Sequence, residues 1–215
     1  NKRLEAARVK GIEPLRRHFD QRLADDGKSV LSGSLGKKIF SEPFTLREDL
    51  SQPGQFGVPF DAEGAPKKRR VLVDRGVVKE LLAEGHSTRG LLEHPFYPEN
   101  LVIEKGKLSL RDIIRRGQRG SFINKIWYHA LVRESTMEVT GRATAGSLYI
   151  EKGRTQGRVL HLRYHDTLFS MLSSVAGASR EQILLKDGER GAALFPYLWV
   201  SRLKVVSPQS LAPPA

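Results

Sequence analysis

The chain has 215 residues, of which 39% are hydrophobic and 28% charged, a composition that excludes a disordered or collagen-like chain. Lysine and arginine number 36 against 24 acidic residues, and the resulting net charge of +12 favours anionic partners. Cysteine is absent, which excludes disulfides, thiolate metal ligands and cysteine nucleophiles.

The sequence contains no segment typical of a membrane span or a secretory signal. Its longest apolar run, Ala192–Val200, contains Pro196 and falls short of the roughly 20 residues that a spanning helix needs. Charged residues interrupt positions 1–10 throughout. We therefore expect a cytoplasmic protein that does not associate with membranes.

A helix is predicted from Pro14 to about Ala24, because proline is favoured at a first helical position, and Gly27 is expected to end it. Its apolar face comprises Leu15, Phe19 and Leu23. Residues 28–64 are rich in glycine and proline, which predicts loop structure with one strand near Pro43–Arg47.

One pattern occurs three times: an apolar run, an acid, a basic residue, a glycine and a second run. It predicts a β-hairpin whose glycine takes a positive φ in a tight turn. The unequal spacing of the three glycines excludes a solenoid of fixed period. The three segments are Val71–Val78, Leu101–Leu108 and Leu148–Thr155.

The remaining elements complete a prediction of an α+β fold, mainly antiparallel β-sheet with several β-hairpins and a few short helices. One helix is predicted after Ser109, with Asp112 completing a capping box, and ends near Arg116. A second follows Asp166 and ends at Gly177. Further strands are predicted at Phe122–Val132, Met137–Thr140, Gly157–Tyr164 and Tyr197–Val206.

Histidine, serine and basic clusters give weak functional signals. His161 and His165 are four apart, but their neighbours predict a strand, which holds such positions about 13 Å apart. The basic cluster Lys67, Lys68, Arg69 and Arg70 is a candidate anion-binding patch, although a solvated surface explains it better. No phosphate-binding P-loop and no serine-based triad is recognisable.

Several segments together resemble the C-terminal half of the TldD/PmbA family of bacterial metallopeptidases. The resemblance extends roughly over residues 25–177, and its specificity lies in the order and spacing of the segments. It divides the chain into a helical lead-in at 1–27, a β-rich domain at 28–206 and a flexible tail at 207–215. The matching segments are Ser29–Phe40, Phe60–Gly64, Arg69–Val78, Ser87–Gly90, Asn100–Gly106 with Ser109, Thr140–Gly141 and Gly146–Gly153.

The resemblance implies a place for a zinc site but not its ligands. In catalytic family members a helix carrying His-Glu-x-x-x-His precedes the segment matched by Ser29–Phe40, and a downstream cysteine completes a site that activates water for amide hydrolysis. The corresponding window here reads Ile12, Glu13, Arg17 and His18. Both histidine positions and the cysteine are replaced, so we expect no catalytic residues, no metal ligands and no cofactor.

The expected function is therefore that of a non-catalytic, TldE-like subunit in a metallopeptidase assembly that processes or degrades unfolded peptides. The resemblance implies a partner subunit of the same family, in a homo- or heterodimer, and an unfolded peptide as ligand. Two alternatives remain: an active zinc peptidase with ligands outside this window, and a basic scaffold or nucleic-acid-binding protein that kept the fold.

Overall fold

A computed structural model describes residues 13–60, 66–82, 99–124, 126–143, 146–160, 162–187, 191–206 and 210–212. In these residues the chain has the predicted α+β fold, and it comprises four short helices and three sheets. Neighbouring strands are antiparallel except for one parallel pair. Within the described residues, no helix is long and apolar enough to cross a membrane.

The helical lead-in contains two short helices, α1 (Glu13–His18) and α2 (Gln21–Asp25), so the prediction of one helix was wrong. The side chain of Asp20 accepts a hydrogen bond from the backbone N–H of Arg22 and starts α2 as its N-cap. The apolar face was predicted correctly at Leu15 and Phe19, which are fully buried.

The largest sheet has six strands in the order β11-β12-β4-β1-β2-β3. β4 runs antiparallel to β1 and parallel to β12, so it lies in the middle of the sheet, and its three residues are all buried. The strands are β1 (Leu46–Glu48), β2 (Arg70–Asp74), β3 (Val77–Val78), β4 (Leu101–Ile103), β11 (Val175–Asp187) and β12 (Gly191–Val200).

Two smaller sheets complete the fold, one ordered β10-β7-β6 and one ordered β13-β9-β8-β5. β13 pairs with β9, which gives the middle of the predicted tail a regular structure. The strands are β5 (Arg119–Phe122), β6 (Ile126–Arg133), β7 (Glu138–Ala143), β8 (Leu148–Glu151), β9 (Arg154–Leu160), β10 (Arg163–Thr167) and β13 (Ser210–Ala212). The predicted strand Phe122–Val132 covers the last residue of β5 and most of β6, so it is divided between two strands. The predicted strand Gly157–Tyr164 covers parts of β9 and β10.

Two of the three predicted hairpins are present, β2–β3 and β8–β9. Each turn places a basic residue and then a glycine in the left-handed region, as at Lys152 (φ 50°) and Gly153 (φ 72°). The prediction of a hairpin at Leu101–Leu108 was wrong, because both edges of β4 already have partners. The chain leaves β4 alongside β11, and the N–H of Gly106 donates to the carbonyl of Ser179 at 2.9 Å.

The two later helices are α3 (Leu110–Arg116) and α4 (Leu168–Ser173). Ser109 and Asp112 form the predicted capping box of α3. α4 is shorter than predicted: it begins after Thr167, whose side chain accepts from the N–H of Ser170, and it ends before Val175 begins β11. β11 is the longest strand described, and it was not predicted.

Candidate functional site

The residues at the position of the family's metal-binding motif, Ile12, Glu13, Arg17 and His18, include one partner of an ion pair. Arg17 lies at the end of α1, and its Nη1 is 2.5 Å from Oε1 of Glu134, in the turn between β6 and β7. Both side chains are 44% exposed. Ile12 and the side chain of Glu13 lie outside the described part of the structure.

His18, the next residue, is buried with its two ring nitrogens occupied. The backbone N–H of Val30 donates to Nδ1 at 3.2 Å, and Nε2 lies 3.0 Å from the carbonyl oxygen of Glu134. Because Nδ1 accepts, the ring proton is on Nε2, which donates to that carbonyl. Burial lowers the pKa of His18 below its usual value of 6.5 and keeps the ring neutral near pH 7.

These contacts leave no lone pair of the His18 ring for a metal ion, since Nδ1 already accepts and Nε2 carries the proton. Arg17 adds a cationic group where the family motif has a histidine. Among the described residues, no group of three histidine or acidic side chains could hold a metal ion. The described residues of this window therefore do not fit a zinc site.

The other histidines are dispersed. His165 lies in β10, where its Nε2 is 2.7 Å from Oε1 of Glu138. His129, in β6, has Nδ1 2.8 Å from the hydroxyl of Tyr164, and its Nε2 is buried without a hydrogen-bond partner. Burial lowers the pKa of His129 and raises that of Tyr164. His86, His94 and His161 lie outside the described residues.

The predicted anion-binding patch is placed among carboxylates. Lys67 Nζ lies 2.5 Å from Oε2 of Glu99, Arg69 Nε lies 3.6 Å from Oδ2 of Asp49, and Arg70 Nη1 lies 3.4 Å from Oε1 of Glu80, whereas Lys68 is exposed. A cavity of about 90 Å³ adjoins part of this cluster. Anion binding by these residues stays a prediction, and the carboxylates offset most of the positive charge.

A much larger cavity of about 1000 Å³ opens between the six-stranded sheet and the two smaller sheets. We call it the apolar groove. No local sequence pattern predicts it, because its walls come from separate elements, including β12, which was predicted only in part, and β11, which was not predicted at all. Its walls include Leu110, Ile113, Phe122, Tyr149, Tyr197 and Trp199.

Comparison with known proteins identifies the domain. Residues 12–207 match the family described as the PmbA/TldA metallopeptidase C-terminal domain. A metalloprotease of Methanothermobacter thermautotrophicus is 29% identical over 110 residues, which cover 45% of this chain and 24% of the relative. An uncharacterized protein of Methanocaldococcus jannaschii is 31% identical over 99 residues, which cover 40% of this chain and 24% of that protein.

The fold is also that of a solved structure. TldE from Thermococcus kodakarensis superposes with a TM-score of 0.77 at 22% identity, over 93% of this chain and 48% of the TldE chain. The chain therefore spans about half the length of its structural relative, and its matches to the two archaeal relatives cover about a quarter of their lengths.

Proposed function

Because the chain belongs to the PmbA/TldD family through its metallopeptidase C-terminal domain, we propose that it is the non-catalytic subunit of a peptidase assembly of this family. The assembly processes or degrades unfolded peptides, and a second, catalytic subunit of the same family supplies the metal site. The chain described here contributes binding surface for the peptide and for that partner.

The observation that carries the proposal is that two consecutive residues of α1 both contact Glu134. The Glu134 carboxylate pairs with Arg17, and its carbonyl accepts from His18. A metal-binding helix presents free imidazole nitrogens to the ion, whereas here the described side chains at this position bind the protein itself. The complete absence of cysteine removes the remaining ligand type of the family motif.

The arrangement gives the window a structural role. His18 is buried against Ser29 and Val30, in the segment that matches the family sequence after the motif. The same helix thus fixes the start of the β-rich domain to the β6–β7 turn. The ion pairs of Lys67, Arg69 and Arg70 give the nucleic-acid alternative no comparable support.

Copurification from native cells, followed by a peptidase assay, tests the proposal. We expect this chain to copurify with a family member that carries His-Glu-x-x-x-His, and cleavage of an unfolded test protein to require that partner. Substituting the partner's motif glutamate is expected to abolish cleavage, whereas Arg17→Gln in this chain leaves it unchanged. Cleavage by this chain alone, lost in a His18→Gln variant that still folds, would contradict the proposal.

A further inference from the structure

Helix α3 presents an apolar stripe that the rest of the described chain covers incompletely. Ile113 and Ile114 follow Leu110 by three and four residues, and all three line the apolar groove. No residue of α3 is fully buried, although its N-terminus is held firmly by the Ser109 capping box. A stripe of this kind normally packs against protein, so its exposure to the groove indicates surface that a ligand can cover.

Aromatic side chains form other parts of the groove wall. Phe122 of β5 and Tyr197 of β12 pack with ring centroids 5.7 Å apart and planes tilted by 53°, and Trp199 follows on the same face of β12. Rings held by such packing offer large contact areas and lose little conformational entropy on binding. The walls therefore suit apolar side chains of a ligand.

His129 supplies an unsatisfied polar atom in this apolar wall. Its Nδ1 is bonded to Tyr164, and its buried Nε2 has no partner. Nε2 needs an acceptor in one tautomer and a donor in the other, and leaving it unpaired in the interior is costly. A peptide group carries both a C=O and an N–H, so a backbone amide satisfies Nε2 in either tautomer after a small movement of the ring.

The end of the groove beside α3 is positively charged. Arg115 and Arg116 occupy the last turn of α3, and Arg119, which lines the groove, donates from Nε to the hydroxyl of Tyr149 at 3.1 Å. All three arginines are exposed. Glu151 lies opposite Arg119 in the β5–β8 register and offsets one of these charges, which leaves an excess of positive charge.

We infer that the apolar groove binds an extended peptide segment with apolar side chains and an acidic end. The apolar side chains cover the α3 stripe and the aromatic wall, a backbone amide pairs with His129, and the acidic end meets the arginines. This inference rests on the proposed function, because it names the peptide-binding surface of the subunit. A volume of about 1000 Å³ accommodates several residues of such a segment.

Fluorescence anisotropy on the full chain tests the inference with short labelled peptides that share a leucine- and phenylalanine-rich core. We expect a peptide ending in glutamates to bind roughly tenfold more tightly than one ending in lysines, with a difference that shrinks at high salt. Ile113→Glu places a charge in the groove and should weaken binding of the glutamate peptide by at least about tenfold. Val58→Glu adds the same charge at an exposed apolar position that does not line the groove, and it should change affinity by less than about twofold.

Circular dichroism and melting temperature establish that both variants fold. Equal binding of the two peptides, or equal effects of the two substitutions, would overturn the inference. So would self-association of the chain, without peptide binding, that Ile113→Glu abolishes, because the groove would then meet a second copy. The assay uses neither metal nor partner, so failure of peptide binding here and failure of the subunit role in the cleavage assay are separate results.

Discussion

The carboxylate of Glu134 lies 2.5 Å from the guanidinium of Arg17, and the backbone carbonyl of the same glutamate accepts a hydrogen bond from His18. One turn residue therefore holds two consecutive helix residues by two different groups. The first contact joins two half-exposed side chains, whereas the second is made by the buried ring of His18, so the two contacts should differ in their contribution to stability.

Removing the ion pair should cost little. Arg17→Gln is expected to lower the free energy of unfolding by no more than about 1 kcal/mol, because solvent screens a pair that is nearly half exposed. Urea denaturation measures the difference, and Glu134→Gln should give the same small effect. A loss several times larger in either variant would show that the pair is not a screened surface contact.

Removing the buried imidazole should cost more. His18→Ala removes a buried ring and leaves a cavity, and it also leaves the part-buried N–H of Val30 and carbonyl of Glu134 without their hydrogen-bond partner, so we expect a loss of roughly 2–4 kcal/mol. The same urea experiment provides the comparison with Arg17→Gln. Equal losses of stability in the two variants would contradict the expectation that the buried His18 contributes more than the exposed Arg17.

Acidification should destabilise the fold through the buried histidines. Burial lowers the pKa of His18 and His129 below 6.5, so the unfolded chain takes up protons first as the pH falls below that value. The stability that the neutral rings contribute is present above pH 6.5 and is lost as the pH falls through the folded-state values.

Glu48 has the opposite effect, because burial raises its pKa and acidification therefore stabilises the fold through this residue. Comparing the wild type with His129→Phe separates the contribution of His129 from that of Glu48. Between about pH 7.5 and about pH 5.5, the urea midpoint should fall less in the variant than in the wild type. An equal fall in both would mean that His129 does not contribute.

The ring of Tyr164 lies across Gly141, its neighbour in the β10–β7 register, and reaches His129 on the far side of β7. A Cβ on residue 141 would lie 2.3 Å from the ring. Gly141→Ala should therefore cost roughly 1–3 kcal/mol in wild type and much less in a Tyr164→Ala background. Additive losses in the double-mutant cycle would contradict this contact as the cause.

The β8–β9 turn offers a stabilising substitution. Lys152 has a φ of 50°, a conformation that asparagine tolerates better than lysine, so Lys152→Asn should raise stability by roughly 0.5 kcal/mol. Lys105→Asn is the matched control, because Lys105 follows a glutamate and precedes a glycine in the same way but has no positive φ. A similar gain in both variants would exclude turn geometry as the reason.

This pair of segments also shows how far the sequence could predict the fold. Local patterns predicted the structure correctly where it depends on residues that are neighbours in the sequence, as at the Ser109 capping box and the two hairpin turns. They failed at Gly106, where an added Cβ would lie 2.0 Å from the carbonyl oxygen of Ala178. That glycine permits close approach of β11, a strand distant in the sequence, and the Lys-Gly pattern is the same in both cases.

The candidate site has the same limit. The sequence identifies Arg17 and His18 as departures from a metal-binding motif, but their partner Glu134 lies 116 positions after His18. No pattern within the helix predicts that contact. The apolar groove likewise forms only where β12, α3 and β5 pack together, so no local sequence pattern predicts it.

Zinc content tests the central claim most directly. The full-length protein, purified without chelator and without its partner from cells grown with added zinc, would be analysed by plasma mass spectrometry. Because the side chains of Arg17 and His18 bind other parts of the protein, we expect zinc at the background level of a matched metal-free control. Near-stoichiometric zinc that withstands dialysis would contradict the account and identify this chain as a metal-bearing subunit.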